Sequence, residues 1–481
     1  MAKSDIGLRS ERGPVLIALM VSTALIAIDA TILATAVPSV VKDIGGFSAF
    51  PWLFSIYLLA QAVSVPIYSK LADTVGRKPI IIVGIVLFLA GSTLSGFAWS
   101  MPALIAFRAL QGLGAGAVQP MSITIVGDIY TVAERARVQG YLAAMWGIAA
   151  IVGPTLGGVF SQFVSWRWIF FVNIPLCVLA VVLLLRGFHE KVERHPHRID
   201  VPGAILLAGA TMAIIIGVLE GGVAWPWDSP ISIGIFAAGA VMIAAFILVE
   251  RRAAEPVLPL WVFGRRLLLT TSLAGFAVTA AQIGLASFVP TYLEGALGVP
   301  PLAAGLALAA LVVGWPIAAT FAGRLYLRIG FRSTALIGGA FAVLGAAMLA
   351  SFGMHPSIAI VAVACFIIGW GFGWSAVPTL VAAQSSVEWN QRAVVTGANM
   401  FSRSIGAAIA TAVLGAIANG VIAANGGDHS DPHVVTVAST AVFIGVVVIT
   451  AGILLASLAM PRTPVDKKVA DPATGAIETA A

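Results

Sequence analysis

Apolar runs of about twenty residues recur along nearly the whole chain, separated by short polar or basic segments. A helix of that length crosses the hydrocarbon core of a bilayer, and a helix satisfies its own backbone polar groups there. The pattern therefore predicts an all-α polytopic membrane protein with about fourteen transmembrane helices. The predicted spans lie at roughly 14–38, 50–69, 79–98, 102–126, 138–160, 168–187, 201–221, 229–249, 267–290, 301–322, 333–353, 357–380, 393–420 and 436–460.

Composition and charge agree with this prediction. The 481 residues are 59% hydrophobic and only 10% charged, whereas a soluble domain carries about 25% charged residues. The net charge of +6 does not indicate a nucleic-acid partner, because 23 of the 27 basic residues fall on one side when both termini are placed inside. This positive-inside bias predicts a multi-pass protein of the cell (inner) membrane with cytoplasmic termini.

Two glycine-bearing basic segments mark an internal repeat. Residues 69–78 join the second and third spans, and residues 323–332 occupy the same setting 254 positions later. Parallel repeats of this kind are typical of transporters. The predicted divisions are a cytoplasmic tail at 1–13, a six-helix domain at 14–187, a linker with two additional transmembrane helices at 188–266, a second six-helix domain at 267–460 and a cytoplasmic tail at 461–481.

Asp29 is a carboxylate deep within the first predicted span, and Arg108 lies within the fourth. At 1.5 Å per residue, the two lie at roughly 22 and 20 Å from the inner boundary, so they can form a pair. Burial favours the neutral acid and the arginine favours the carboxylate, and that balance suits proton exchange. The alternatives are a static ion pair, or an Asp29 side chain that reaches the outer vestibule.

The repeated hinge segments are candidate gates. Gly76 allows the second and third spans to approach closely, Asp73 suits the positive end of another helix, and Arg77 has an acidic partner available in Asp128. The alternative is that these charges only set topology, although the two acids work against that role. The second copy contributes Gly323, Arg324, Gly330 and Arg332.

Motifs for other chemistry are missing from the sequence. No Gly-x4-Gly-Lys-Ser/Thr segment occurs, so we expect no ATP-driven step, and no nucleophile–base arrangement indicates an enzyme. The histidines and glutamates at 189–197 suit a solvated linker better than a metal site. We therefore expect no cofactor and no metal.

Together these segments resemble the major facilitator superfamily, and within it the fourteen-span drug:proton antiporters. The resemblance covers spans one to fourteen and rests on residues 29–38, 69–78, 108–116, 140–158, 166–175 and 401–406, with Ser69 and Ala149 standing where glycines are common. It implies that Asp73 contacts the start of span thirteen and locks an outward-open state. It also implies that the chain works by alternating access, exchanging substrate for protons.

Span five carries the residues that resemble the antiporter motif: Gly140, Gly153, Pro154, Gly157 and Gly158. They remove side chains and one hydrogen-bond donor, so we expect a bend and close packing against span eight or ten. Close packing without a functional role is the alternative, because glycine is common at membrane helix interfaces.

In this fold, several aromatic and polar residues fall within spans that line the central cavity: Gln61, Gln111, Gln119, Trp146, Trp315, Trp370, Trp374, Asn399 and Arg403. A mostly aromatic wall suits flat, lipophilic or cationic compounds. We expect Arg403 to contact backbone carbonyls or substrate, or to be purely structural. The predicted function is proton-coupled efflux of lipophilic, cationic small molecules by a monomer in the lipid bilayer; the alternative is an exporter of lipids or other amphiphiles.

Overall fold

The computed structural model describes residues 7, 10–45, 52–190, 200–222, 224–253, 256–352, 357–425 and 431–462. Most of the predicted tails at 1–13 and 461–481, and residues 191–199 of the predicted linker, lie outside these ranges. The described part of the chain is helical and contains no strand. Its α-helices are α1 Gly13–Ile44, α2 Trp52–Val75, α3 Arg77–Gly96, α4 Met101–Ile129, α5 Val132–Phe163, α6 Trp168–Phe171, α7 Asn173–Gly187, α8 Val201–Glu220, α9 Pro230–Glu250, α10 Trp261–Gly264, α11 Arg266–Leu297, α12 Pro301–Ile329, α13 Phe331–Phe352, α14 Ile358–Ser385, α15 Arg392–Ala424 and α16 Pro432–Ala459.

Thirteen helical segments within those ranges are long and apolar enough to cross a membrane. The remaining long helix, α5, has 32 residues and is therefore about 48 Å long, which also exceeds the thickness of the hydrocarbon core. The predicted all-α membrane fold is confirmed.

The sixth predicted span is a broken helix rather than a continuous one. The short helix α6 ends at Phe171, and α7 restarts at Asn173. Pro175 has no N–H to donate to the carbonyl of Phe171, so the helical hydrogen-bond ladder is interrupted at this point. The apolar run at 168–187 carries no other signal for the break.

Helix starts follow the local sequence. Asp200 accepts a hydrogen bond from the Gly203 N–H at 2.9 Å, which caps α8, and Thr131 begins α5 with a capping box that includes Glu134. Such caps satisfy N–H groups that have no partner within the helix. Pro14 and Pro102 are the second residues of α1 and α4, in the first turn, where the N–H has no partner within the helix and its absence costs nothing.

The internal repeat is visible in how the helices pack. We use "first half" for α1–α7 and "second half" for α11–α16. In the first half, α4 packs on α2 and α3 while α1 packs on α5 and α7; in the second, α14 packs on α12 and α13 while α11 packs on α15 and α16. A Cβ on Gly371 would lie 2.5 Å from the Ala342 nitrogen, and Gly114 makes a similarly close approach to Phe88. Glycines at equivalent positions thus permit the same tight helix contact in both halves.

The two halves meet along two seams. Helix α5 packs against α12, and α2 packs against α15. The additional helices α8 and α9 pack on each other, and α8 also contacts α2 and α15. The inserted pair therefore lies beside one of the two seams, in contact with both halves.

Candidate functional site

The first element of the site is a polar network buried within the first half. Arg108 Nη1 on α4 lies 2.6 Å from Asp29 Oδ2 on α1, and the side chains are 2% and 1% exposed. Gln111 Nε2 donates to Asp29 Oδ1 at 2.7 Å, and Asn173 Nδ2 from α7 lies 3.5 Å from the same oxygen. Both carboxylate oxygens therefore accept hydrogen bonds from helices other than α1.

Arg108 is held on several sides. Its Nε donates to the Leu53 carbonyl at 3.2 Å, its Nη1 also donates to Gln111 Oε1 at 2.8 Å, and its guanidinium lies 4.3 Å from the centre of the Tyr57 ring. A buried ion pair is tolerated only when such additional partners satisfy both members. The arrangement meets that condition. Neutralising Asp29 would leave the buried charge of Arg108 without its counter-charge.

Gln111, predicted to lie among the residues of the substrate cavity, is a member of this buried network. Its side chain is fully buried and bonds to both Asp29 and Arg108. Residues three apart on a helix share a face, so its distance from Arg108 in the sequence was a usable signal. Tyr57 and Asn173 were missed as members of the network, and nothing local in the sequence marks Tyr57.

The second element joins the two halves at the end of α2. Asp73 Oδ2 accepts a hydrogen bond from the Val394 N–H at 2.8 Å, and its Oδ1 accepts one from the Ala393 N–H at 3.2 Å. Both N–H groups belong to the first turn of α15, where a carboxylate also favours the helix dipole. A side chain from the first half therefore caps a helix of the second half.

We call this contact between the two halves the candidate gate. Arg77 lies at its centre and is fully buried. Its Nη2 donates to Asp73 Oδ1 at 2.8 Å and to the Trp389 carbonyl at 2.6 Å, and its Nε donates to Asp128 Oδ2 at 3.0 Å. Arg392 Nη1 from the second half reaches Asp128 Oδ1 at 3.2 Å. The result is a charge network that includes both halves.

Three residues of the candidate gate were not predicted from the sequence. The Trp389 ring lies 3.7 Å from the Arg77 guanidinium carbon, and Arg392 closes the network on Asp128. Glu190 accepts the backbone N–H groups of Arg77 and Lys78, both at 2.9 Å. These residues follow apolar spans like many others, so only the folded arrangement identifies them.

The second hinge copy is placed differently. Gly76 and Gly330 share a positive φ, of 106° and 86°, which favours glycine. Gly323 does meet the first half, since a Cβ there would lie 2.7 Å from the Ala136 Cβ. Arg332, however, donates to the Leu458 carbonyl within its own half at 2.8 Å, and Arg324 is exposed. Neither arginine forms a hydrogen bond or an ion pair with a described residue of the first half. Position 327, which corresponds to Asp73, is a leucine and offers no charge to pair with.

The glycines of α5 have different surroundings. A Cβ on Gly140 would lie 2.5 Å from Thr320 Oγ1 of α12, which is the predicted span ten. Gly153 instead packs on α1, where its Cβ would collide with Thr31 Oγ1. Gly157 is buried, and the side chain of Pro154 lies outside the described residues. The expectation of close packing is wrong for Gly158, because a Cβ there would meet open space.

The other predicted cavity residues fall into separate groups. Gln61 Nε2 donates to Gln119 Oε1 at 2.8 Å, which links α2 to α4. In the second half, the Trp370 and Trp374 rings lie 5.5 Å apart, and Trp374 Nε1 donates to the Ala318 carbonyl at 3.0 Å. Two further tryptophans pack against core: Trp315 against Phe372, and Trp146 against the apolar core of the first half.

Arg403 and Asn399 lie one helical turn apart on α15. Arg403 Nε donates to Asn399 Oδ1, and Asn399 Nδ2 donates to the Thr271 carbonyl of α11, both at 3.1 Å. Asn399 is only 2% exposed, and its two hydrogen bonds link the Thr271 carbonyl to Arg403.

Comparison with known proteins agrees with this architecture. The family model described as Major Facilitator Superfamily matches residues 19–411. Multidrug transporter protein MdtP of Bacillus subtilis is 33% identical over 419 residues, which cover 87% of this chain and 77% of that protein. Multidrug resistance protein 3 of the same organism is 33% identical over 411 residues, covering 85% and 80%. Efflux pump dotC of Dothistroma septosporum is 31% identical over 402 residues, covering 82% and 69%.

A solved structure shares the fold at low sequence identity. The crystal structure of the human organic anion transporter MFSD10 (TETRAN) superposes with a TM-score of 0.67 at 14% identity, covering 94% of this chain and 99% of that chain. At this identity the likeness establishes the fold alone. The family match and the bacterial relatives establish more: this chain belongs to the Major Facilitator Superfamily.

Proposed function

We propose that the protein is a drug:proton antiporter that exports lipophilic small molecules, cations among them, by alternating access between domains at 14–187 and 267–460. The observation that carries the proposal is the buried Asp29–Arg108–Gln111 network, since a carboxylate sealed within a span marks a functional site. The relative named as a multidrug transporter supports the class of substrate, and the relative named as an efflux pump supports the direction of transport.

The gate supports the alternating-access part of the proposal. Hydrogen bonds that join described residues of the two halves all lie at one end of the molecule, around Asp73, Asp128, Arg135 and Tyr326. This end of the molecule adjoins the basic segments that the positive-inside bias assigns to the cytoplasm. We therefore propose that this conformation is closed to the cytoplasm, in an inner membrane with both termini inside.

The coupling step of the proposal is protonation of Asp29. In its charged form the carboxylate satisfies donors from Arg108 and Gln111. A proton on Asp29 removes the counter-charge of Arg108, and reorganisation of the network would then shift helices α1, α4 and α7 together. Because these residues lie within one half, a monomer suffices for the proposed cycle.

Two observations bear on the charge of the substrate. The π faces of Trp370 and Trp374 can hold a lipophilic cation. Asp29, however, is 1% exposed and bonded on both oxygens, so it offers no free carboxylate to such a cation. An exporter of lipids or other amphiphiles therefore stays as the second candidate.

Everted membrane vesicles test the proposal. Ethidium or a quaternary ammonium dye should accumulate in vesicles that contain the protein when an inward-acid gradient is imposed, and accumulation should stop when the gradient is collapsed. Accumulation that ignores the gradient would contradict proton coupling. No accumulation of these dyes, together with gradient-dependent transfer of a labelled amphiphile, would favour the second candidate.

A further inference from the structure

Arg403 is a half-buried arginine whose hydrogen-bonding capacity is mostly unused. Its Nε donates to Asn399, but Nη1 and Nη2 donate to no described residue and form no ion pair with one. Neither nitrogen is completely buried, so both face open space. The guanidinium therefore presents four free N–H donors to that space.

The contrast with Arg108 is direct, because both arginines lie within membrane-spanning helices. Arg108 is neutralised by Asp29 and flanked by Gln111, a backbone carbonyl and an aromatic ring. Arg403 has no acidic partner among the residues that the structure describes. An unpaired charge in a membrane span is costly and is retained where water or a ligand neutralises it.

Arg403 lies too deep to reach an interfacial headgroup layer. Its position on α15 is eleven residues beyond Arg392 at the gate, which corresponds to about 16 Å along the helix axis. The end of α15 lies farther away on the other side, at Ala424. A side chain at this depth cannot snorkel to either surface, so its charge favours water or a polar ligand over lipid in the space that it faces.

The side chain is also held in place before any ligand arrives. Asn399 is anchored to the Thr271 carbonyl and accepts from Arg403 Nε. Gly275 of α11 leaves room for the stem, since a Cβ there would lie 3.3 Å from Arg403 Cγ. These contacts fix one edge of the guanidinium and leave the outer edge free, and a planar fork of this kind binds two oxygens of an anion at once.

We propose that Arg403 is an anion-binding subsite, and that part of the substrate range consists of lipophilic compounds with a carboxylate, sulfonate or phosphate group. The inference rests on the proposed export function for the transport step, and it adds a negatively charged group to the substrate class. The same oxygen chemistry comes from a free organic anion or from the headgroup of an anionic lipid.

Equilibrium binding tests the subsite without requiring transport. The full chain in phosphatidylcholine nanodiscs is titrated with the lipophilic sulfonate 8-anilinonaphthalene-1-sulfonate and separately with ethidium. Arg403→Gln should weaken binding of the sulfonate about tenfold or more, because a charge-assisted bidentate contact is lost. The sulfonate affinity of Arg403→Lys should lie between those of the wild type and Arg403→Gln, because lysine keeps the charge but cannot make the bidentate contact. Ethidium binding should stay within about twofold in both variants.

Controls separate the subsite from folding and from the proposed function. Arg186→Gln removes an exposed arginine at the end of α7 and should leave sulfonate binding unchanged. Arg403→Gln removes the donor to Asn399 Oδ1 as well as a charge with no acidic partner, so the Tm and the gel-filtration profile are measured for each variant and both should stay close to those of the wild type. Failure of proton-driven ethidium export in the wild type would contradict the antiporter proposal, but it would not affect the conclusion from sulfonate binding.

The remaining outcomes are decisive for the subsite. Sulfonate affinity that is equal in wild type and Arg403→Gln overturns it, and so does an equal loss of sulfonate and ethidium binding. Nanodiscs that contain phosphatidylglycerol distinguish the sources of the anion. Competition by this lipid in the wild type but not in Arg403→Gln identifies a headgroup as an occupant, and its absence identifies free organic anions.

Discussion

At the scale of single residues, the Asp29–Arg108 pair shows what depth along a helix can and cannot predict. Counting residues from the span ends placed the two groups at similar depth, and the structure brings them to 2.6 Å. Counting does not give the rotation of each helix about its axis. For that reason the sequence assigned Gln111 to a cavity, and it offered no hint of Tyr57 under the Arg108 guanidinium.

Asp29→Asn tests the coupling residue. The amide keeps the size of the side chain but cannot carry the charge or exchange the proton, so gradient-driven ethidium export should fall at least tenfold while the protein inserts normally. Asp228→Asn, at an exposed acid between α8 and α9, serves as the control. Undiminished export by Asp29→Asn in everted vesicles would reject the assigned role.

Gln111→Leu tests the wider network. The substitution removes the short hydrogen bond to Asp29 Oδ1 and leaves that buried oxygen with only the 3.5 Å contact to Asn173, which costs about 1–3 kcal/mol. We expect a lower Tm for the purified protein, measured by intrinsic fluorescence. Leucine at Gln119 removes a half-buried contact on the same helix and should cost less. An equal effect of both substitutions would contradict the assignment.

At the scale of helices, the gate depends on the first turn of α15. Asp73 caps two N–H groups there and also accepts from Arg77, so one carboxylate joins a helix start to the charge network. The sequence indicated that Asp73 suited a helix end, and the family resemblance indicated which one. Trp389 and Arg392 lay beyond prediction because they matter only once the two halves meet.

Asp73→Asn should loosen this gate. The amide loses the charge that favours the α15 dipole and that balances Arg77, so the cytoplasmic side should open more often. Ser69, buried beneath Gly397 of α15, provides the reporter. In a Ser69→Cys background, Asp73→Asn should speed labelling by a membrane-impermeant maleimide from the cytoplasmic side several-fold. Glu388→Gln changes an exposed neighbour and should leave the labelling rate unchanged. Equal labelling rates with and without Asp73→Asn would contradict the role of Asp73 in the gate.

Helix packing in α5 gives a matched pair of substitutions. Gly153→Ala forces a Cβ against Thr31 Oγ1, which donates to the Ala149 carbonyl at 2.9 Å. We expect a loss of about 1–3 kcal/mol and a lower Tm. Gly158→Ala places its methyl group in open space and should be neutral or slightly stabilising. Equal Tm values for the two variants would show that the close approach of α1 and α5 does not matter.

At the scale of the whole molecule, the repeat could be predicted because the glycine-bearing basic segments at 69–78 and 323–332 recur 254 positions apart. In the structure Gly114 and Gly371 make equivalent contacts. The placement of α8 and α9 could not be predicted, since both are apolar on most sides and carry no directional signal. The two hinge segments depart from the repeat, because they contact the opposite half in different ways. The first holds the halves together through Asp73, Arg77 and Asp128, whereas the second packs mainly through Gly323 and Tyr326.

In the proposed cycle, the charge of Asp29 controls which end of the molecule is open. Double electron–electron resonance tests it with one spin-label pair near the gate, at Val75 and Ser386, and one at the opposite end, at Phe163 and Leu297; all four positions are exposed. Asp29→Asn, which mimics the protonated acid, should lengthen the gate distance and shorten the opposite one, and acidification should do the same in the wild type. Distances that respond neither to the substitution nor to pH would contradict the account.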